Sequence, residues 1–360
     1  MDEISNLSKF WKNKRVLITG HTGFKGSWLC IILTLFKAKI SGYALKPKKN
    51  SLFLQADLKK KLFNNYYRDI NDYDFLVKVI KKDKPEIIIH LASQAIVLES
   101  YKNPYQTFKT NFFGTLNLLE IIKKNNFVKS AIFVTTDKVY KVKPQKKKYD
   151  EKDELGGTDP YSSSKVSQEI LVNSYVKSFF SQSDKSSNKV STVRSGNVVG
   201  GGDYSKNRLI PDLIKSINSN KPLLLRNPKH IRPWQHVLEP LSGYLTLAKY
   251  QYQKKLFISE RAWNFGPLDK NFINVNKIAL KSKKIFKKLK IKILKKKINS
   301  FKETDILKLS SNKAINILSW KQKWDIDQTL KKVFEWNNMK KNKIDPYIIC
   351  QNQIKEYFRS

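Results

Sequence analysis

Cysteine is nearly absent: Cys30 and Cys350 are the only two in 360 residues. Two thiols so far apart make neither a metal-ligand spacing nor a disulfide framework. Cys30 falls in an apolar segment and reads as a core residue. Long hydrophobic runs are also missing. No apolar stretch approaches the roughly 18 residues of a membrane span, and Met1 to Phe10 is too polar and mixed for a secretory leader. We therefore expect a protein of the reducing cytoplasm, with no metal and no membrane partner. Acidic residues are scarce, 30 Asp and Glu against 70 Lys and Arg, for a formal net charge of +40. A balance this basic can signal nucleic acid. Here the lysines are spread along the chain in short runs, Lys46 to Lys49, Lys146 to Lys148 and Lys283 to Lys297. That distribution, with abundant Asn and Ile, favours a solvated lysine surface and no nucleic-acid partner. The 283–297 segment is where a nucleic-acid site would lie.

What is present begins at Arg15-Val16-Leu17-Ile18-Thr19-Gly20-His21-Thr22-Gly23-Phe24-Lys25-Gly26. A short apolar run stops at three glycines spaced three apart, and an apolar segment of helical length follows. This is a strand, a phosphate-cradling turn and a helix. Gly20 permits the turn, Gly23 lets a pyrophosphate approach the backbone, and Gly26 lets helix and strand pack closely. The N–H groups at the helix start then face an anion.

Apolar strands alternate with helices over the first 200 residues. Strands are expected at 16–19, 40–44, 86–91, 131–135 and 190–194, and helices at 25–36, 75–82, 105–125 and 162–180. This order predicts a parallel sheet covered on both faces. Beyond Gly196 the pattern is irregular. A helix over 209–219, a strand near 222–225 and a helix after Leu238 suggest a smaller lobe. We expect a nucleotide-binding domain over 1–195, a substrate lobe mainly over 196–345, with a return of the chain to the sheet left open, and a tail over 346–360. Ligands of such sheets lie beyond the carboxyl ends of the strands. Two motifs fall there: Thr136-Asp137-Lys138-Val139-Tyr140, and Asp159-Pro160-Tyr161-Ser162-Ser163-Ser164-Lys165. Tyr161 and Lys165 share one helix face. A nearby ammonium would lower the tyrosine pKa and make a base of it. Thr136 could hydrogen-bond the same hydroxyl.

With these motifs the chain resembles the extended short-chain dehydrogenase/reductases, in their sugar-nucleotide-modifying group, and within it the CDP-glucose 4,6-dehydratases. The resemblance is carried by Gly20 to Leu29, Thr110-Asn111-Phe112-Phe113-Gly114-Thr115, Thr135 to Tyr140, Leu155 to Tyr161, Gly196 to Asp203, Arg208 to Asp212, Arg226-Asn227-Pro228 and Arg232-Pro233-Trp234-Gln235-His236-Val237-Leu238-Glu239-Pro240-Leu241. It covers about residues 10 to 340. It implies an α/β fold: a Rossmann-type doubly wound parallel sheet with a smaller mixed C-terminal substrate lobe. It also implies NAD as a transient hydride carrier and a reaction in three parts: oxidation at C4 of glucose, loss of water across C5 and C6, and return of hydride to C6.

The resemblance assigns Tyr161 as the base for the C4 hydroxyl, Lys165 as its pKa partner and ribose ligand, and Thr136 as its orienting group. It makes Asp137 the acid for the C6 hydroxyl and Lys138 the base at C5. The acid needs a raised pKa and the base a lowered one. Gly20, Thr22, Gly23, Phe24, Gly26, Asp69, Ile70, Leu91 and Ala92 would hold NAD, with Tyr161 and Lys165. Asn111, Asn197, Arg208, Arg232 and His236 would serve the CDP-glucose side, where arginine's planar fork suits a diphosphate. His90 is expected to be packed. Relatives pair through two helices, here near 105–125 and 162–180, so the resemblance implies a homodimer with a four-helix contact. The pathway it implies is deoxysugar synthesis for surface polysaccharide.

Three departures stand out. Leu98 and Glu99 sit where family members carry basic residues after the strand ending near Ala92. No carboxylate follows the second strand, where Lys46, Lys48 and Lys49 would tolerate a 2′-phosphate. Ser310-Ser311-Asn312-Lys313-Ala314 replaces an Asp-x-Ser-Lys-Ala-like run and is read as structural. Two other readings remain: a related dehydratase or 4-epimerase using a dTDP-, UDP- or GDP-sugar, and a non-catalytic dinucleotide-binding or basic nucleic-acid-binding scaffold. Asp137-Lys138 argues against an epimerase, and an intact Thr136, Tyr161 and Lys165 set argues against lost chemistry.

Overall fold

A computed structural model describes residues 3–143, 148–180, 189–257, 261–268, 272–294 and 306–360. Lys146 and Lys147 of one lysine run, and residues 295–297 of another, lie outside the described residues. In chain order the elements are α1 (Glu3–Trp11), β1 (Arg15–Thr19), α2 (Phe24–Leu35), β2 (Lys39–Ala44), α3 (Leu52–Gln55), β3 (Asn64–Tyr67), α4 (Tyr73–Asp83), β4 (Ile87–His90), α5 (Val97–Lys102), α6 (Pro104–Phe108), α7 (Gly114–Lys123), β5 (Ser130–Val134), α8 (Pro160–Tyr175), β6 (Val190–Ser195) and β7 (Asn197–Val199). There follow α9 (Leu209–Ser219), β8 (Leu223–Leu225), β9 (Ile231–His236), α10 (Leu238–Tyr252), β10 (Ala262–Phe265), β11 (Phe272–Asn274), α11 (Val275–Ile285), β12 (Ile291–Ile293), α12 (Asn312–Leu318), α13 (Ile326–Lys341) and α14 (Pro346–Arg359).

Seven parallel strands form the main sheet in the order β10-β6-β5-β4-β1-β2-β3. The order reverses between β1 and β4, and the glycine turn leaves β1 at that point. This is where a doubly wound sheet opens a ligand crevice. The central strands β1, β4 and β5 are mainly apolar, as burial on both faces requires: β4 is Ile87-Ile88-Ile89-His90, all buried. One core layer joins α2, α10 and α14 to one face, and a second joins α4, α7 and α8 to the other.

Several elements differ from the sequence reading. β3, Asn-Asn-Tyr-Tyr, has no apolar signal and is held at the sheet edge by pairing with β2. β10 returns the chain from the smaller lobe to the main sheet beside β6. The smaller lobe adds a three-stranded sheet, β11-β9-β7, and a two-stranded one, β12-β8. The segment expected as a tail is helix α14, opened by Asp345 capping and Pro346 at the first turn. Its Ile349, Cys350, Ile354, Tyr357 and Phe358 are buried in the same layer as α2. The Phe36 and Phe358 rings meet at 5.5 Å. An isolated amphipathic stretch at a chain end gives no sign of whether a complementary face awaits it. Cys30 is buried on α2, as expected.

Replacing Phe358 by Ala should lower unfolding stability by about 3–5 kcal/mol, the range for emptying a buried aromatic site. Urea unfolding followed by tryptophan fluorescence measures this, and a change within about 0.5 kcal/mol would show that α14 is not part of the core.

Candidate active site

The ends of β1, β2, β4, β5 and β6 open into one cleft of about 1580 Å³. That exceeds the range for a single drug-sized ligand and suits two ligands end to end. At its floor the glycine turn is tightly made. Gly20 has φ +73°, and a Cβ there would lie 2.6 Å from Ala92 N. A Cβ on Gly26 would lie 2.3 Å from the Gly20 carbonyl oxygen. The turn closes with Gly23 N donating to Gly20 O at 3.1 Å. Gly23 caps α2 without a side-chain acceptor, so the first-turn N–H groups are left for an anion. Gly20, Thr22, Gly23, Phe24, Gly26, Asp69, Ile70, Leu91 and Ala92 all line this end. The cradle therefore fits the pyrophosphate of a dinucleotide.

The chemistry-bearing groups lie along the same floor. β5 ends at Val134, and Thr136 caps the short turn Asp137–Val139 through its hydroxyl. Asp159 caps α8 by accepting from Ser162 N at 3.0 Å, with Pro160 in the first turn. This sets Tyr161 in the first turn of α8, and Lys165 one turn later. The Thr136 hydroxyl lies close enough to the Tyr161 phenol to lower its pKa and donates to Asp137 Oδ1 at 3.1 Å. Thr136, Asp137, Lys138, Tyr161 and Lys165 all face the cleft. Asp137 is buried, and its Oδ2 has no hydrogen-bond partner among the described residues. Burial pushes its carboxyl above the ordinary value, against the pull of Lys138, Thr136, Arg232 and Lys25. That direction suits a proton donor.

The Tyr161–Lys165 relation differs from the sequence expectation. Lys165 Nζ donates to Val134 O and Gln168 Oε1, both at 3.0 Å. Burial pushes Tyr161 up to about 12, with Thr136 and Arg208 opposing and Asp137 and Asp159 reinforcing. Burial, then the Lys25 ammonium, draws Lys165 down to about 7, against Glu169. In this state desolvation governs both groups, and the lysine's field is not what sets the phenol.

The sequence model described as GDP-mannose 4,6 dehydratase matches residues 17–333. The chain belongs to this family. A CDP-glucose 4,6-dehydratase from Salmonella typhimurium is 40% identical over 351 residues, 97% of each chain. A dTDP-D-glucose 4,6-dehydratase from Dictyostelium discoideum is 32% identical over 64% of this chain and 54% of its own. Among solved structures, a dTDP-glucose 4,6-dehydratase from Bacillus anthracis, in complex with NAD, superposes with a TM-score of 0.76 at 23% identity, covering 93% of this chain and 99% of its own. A UDP-glucose 4-epimerase from Thermotoga maritima, with UDP-glucose, gives 0.73 at 21%, covering 90% and 99%.

Against this family background, the outer-lobe assignments divide. Asn197, Arg208 and Arg232 line the cleft. Arg208 lies 3.5 Å from Asp203 Oδ2, and Arg232 is buried with Nη2 2.9 Å from His230 Nδ1. His236 does not reach the cleft. It is buried at the end of β9, just before α10 begins, with Trp28 and Trp324 rings at 5.7 and 4.9 Å. Strand alternation puts it on the same side of β9 as Arg232 and Trp234, which line the cleft, but at its position along the strand that side is covered by the two indoles. Asn111 stands behind the site rather than in it. In a π-helical turn over residues 109–113, its amide accepts from Gln94 N and donates to Gln94 O and Ser164 Oγ. It ties the loop after β4 to α8. His90 is packed as expected, with Nδ1 2.7 Å from Thr19 Oγ1. Ser311 and Lys313 brace Gly266 and Ala262, a structural role.

Two residues went unread. Lys25 is half-buried in the cleft floor, its Nζ 2.9 Å from Ser195 Oγ. Burial, then Arg208, draws it down to about 8, with Asp137 opposing. A lone charge at the start of an apolar helix was the available signal. Glu169, on the Lys165 face of α8, is buried and paired with Arg194 of β6: Arg194 Nη2 donates at 2.8 Å and Nε at 2.9 Å. The Thr135 and Thr192 hydroxyls donate to the same carboxylate, and Arg194 Nη1 donates to Tyr140 Oη at 2.9 Å. Burial alone would raise Glu169, but Arg194 and the hydroxyls outweigh it and hold it below its ordinary 4.5.

Arg194→Met leaves that carboxylate buried without its cation. The expected loss is about 3–5 kcal/mol at pH 7. Glu169's contribution is present above about pH 4.5 and is lost as pH falls through its depressed folded value. The destabilisation should therefore shrink in acid unfolding curves, and a loss independent of pH would show that the pair is not its source.

Proposed function

We propose that the chain is a CDP-glucose 4,6-dehydratase working with bound NAD, converting CDP-glucose to CDP-4-keto-6-deoxyglucose and water. What carries the reading is the Asp137-Lys138 pair directly after Thr136, facing Tyr161 across a cleft that also holds a pyrophosphate cradle. The similarity to the Salmonella typhimurium protein over 97% of both chains supports CDP-glucose as substrate. NAD supplies a hydride acceptor that later returns the hydride to C6. Gly20, Thr22, Gly23, Phe24 and Gly26 would hold its pyrophosphate, Asp69 and Ile70 its adenosine, and Leu91, Ala92, Tyr161 and Lys165 the nicotinamide end.

Tyr161 takes the C4 hydroxyl proton, with Thr136 aligning the phenol. The Lys165 ammonium favours the phenolate form that accepts this proton, once anionic ligands restore the lysine's charge. The C4 ketone acidifies the C5 proton, which Lys138 removes. Asp137, whose hold on its proton is strengthened by burial, gives that proton to the departing C6 hydroxyl, so water leaves and a C5–C6 double bond forms. Arg208 and Arg232 would hold the diphosphate, with Asn197 beside them. Asn111 positions the loop and α8. Paired chains would meet through α6–α7 and through α8 with the turn that follows it, segments on which Tyr105, Phe113, Ile170 and Phe179 are exposed apolar groups. A cytoplasmic location agrees with the lack, among the described residues, of any helix long and apolar enough to cross a membrane. The product would feed deoxysugar synthesis for surface polysaccharide.

The substrate assignment is tested by incubating the protein and NAD with CDP-glucose, dTDP-glucose, UDP-glucose and GDP-mannose. Alkali-induced absorbance of a 4-keto product should rise with CDP-glucose first, and preferential turnover of another nucleotide overturns the assignment. Asp137→Asn and Lys138→Met should each lower product formation by about 10²–10⁴ while CDP-glucose affinity stays within a few-fold; equal losses in affinity would deny them a role in proton transfer. Anion binding beside Lys25 and Lys165, whose values are about 8 and 7, favours their charged forms. NAD binding should therefore take up protons between pH 7 and 9. Calorimetric enthalpies that do not depend on the buffer's ionisation heat would contradict this.

A further inference from the structure

The rim where β2 and β3 leave the sheet carries a charge pattern that the dehydratase reading leaves unused. β2 ends at Ala44, and residues 44–51 read Ala-Leu-Lys-Pro-Lys-Lys-Asn-Ser, with no carboxylate. In a doubly wound sheet a carboxylate here accepts the ribose 2′-hydroxyl and repels a phosphate at that position. The segment cannot swing far from the cradle. Gly20 N donates to Tyr43 O at 2.8 Å, and the Thr22 hydroxyl donates to Leu45 O at 3.1 Å. Lys46, Lys48 and Lys49 accordingly line the same cleft as Gly20 and Thr22. Arg68 joins them from the end of β3. Its N–H donates to Ala44 O at 2.9 Å, and its guanidinium sits 5.0 Å from the Phe75 ring centre. One carboxylate lines this end of the cleft among the described residues, Asp69. Its Oδ1 already accepts from Asn71 N and Nδ2, both at 2.9 Å.

We infer that Lys46, Lys48, Lys49 and Arg68 form a site for a ribose 2′-phosphate, so that the chain takes NADP as well as NAD. The inference rests on a dinucleotide lying in the glycine cradle and is independent of the sugar. A phosphate dianion gains from several cations carried by two adjoining segments of one rim, while the 2′-hydroxyl of NAD has no free carboxylate here to donate to. The lysines are exposed. Each pair is therefore worth little alone and is screened by salt, and the effect comes from their number.

The full chain is titrated by calorimetry with adenosine 2′,5′-bisphosphate and with AMP, which differ only at the 2′ position, and then with NADP and NAD. The bisphosphate should bind at least about fivefold tighter than AMP, and NADP at least as tightly as NAD. The fragment gap should narrow when salt is raised from about 0.05 to 0.5 M. In the triple variant Lys46→Ser, Lys48→Ser, Lys49→Ser it should vanish, with AMP and NAD affinities within about twofold of the parent. A gap below fivefold overturns the inference, as does one that survives the triple substitution or NADP binding weaker than NAD. If none of the four ligands binds, the cradle itself is wrong and both readings fall. If all bind but CDP-glucose is not turned over, only the dehydratase reading falls.

Discussion

The ion pair between Glu169 and Arg194 lies directly beneath the cleft and holds its parts in register. Glu169 belongs to the helix that presents Tyr161 and Lys165. Through Thr135 its carboxylate grips the end of β5, next to Thr136 and Asp137. Through Arg194 and Thr192 it grips β6, and Arg194 passes the connection to Tyr140, beyond Lys138. Tyr140 in turn donates to Asn264 Oδ1 on β10, the strand that the smaller lobe sends back. A buried pair costs desolvation, and such a cost is tolerated where every lone pair and proton is engaged. Here the carboxylate accepts from two of the three guanidinium nitrogens and from two hydroxyls. The result is a rigid plate under the reacting groups, which proton transfer over hydrogen-bond distances requires.

Above that plate the electrostatics run the other way. Lys25, Lys138, Lys165, Arg208 and Arg232 surround a floor on which Asp137 is buried with one oxygen unengaged. Cations taken out of water lose charge readily, and the low values of Lys25 and Lys165 express this. An acidic ligand is what such a site lacks. A dinucleotide and a nucleotide diphosphate sugar would together bring the compensating charge, tightening the site and switching the lysines into their charged form. The excess of lysine over the whole chain hides this local arrangement, because composition cannot separate a solvated ammonium from a desolvated one.

Much of the architecture was legible beforehand. β1, β4 and β5 are nearly continuous apolar runs, and segments of helical length alternate with them, so both faces of the sheet could be foreseen. The helix over 209–219 was expected at those bounds and is found there. β3 was invisible because an edge strand of Asn and Tyr is stabilised by its neighbour rather than by its own pattern. β10 and α14 were not located because their partners are remote: β10 pairs with β6, 70 residues before it, and α14 packs on α2, near the other end of the chain. The site divides similarly. Asn197, Arg208 and Arg232 do line the cleft, whereas His236, next in the same motif as Arg232, turns into the core beside two tryptophans.

By itself the amino-acid sequence determined the phosphate-cradling turn, the alternation that builds the parallel sheet, and the types of group that stand at its carboxyl edge. These depend on local backbone freedom and on periodicity, which short stretches of chain carry in full. Only the tertiary structure decided which of those groups face the cleft, which lysines are dry, and that Glu169 rather than Lys165 anchors the helix of Tyr161. Burial and charge pairing arise between segments far apart in sequence, and a side chain's pKa and orientation follow from what the fold packs against it.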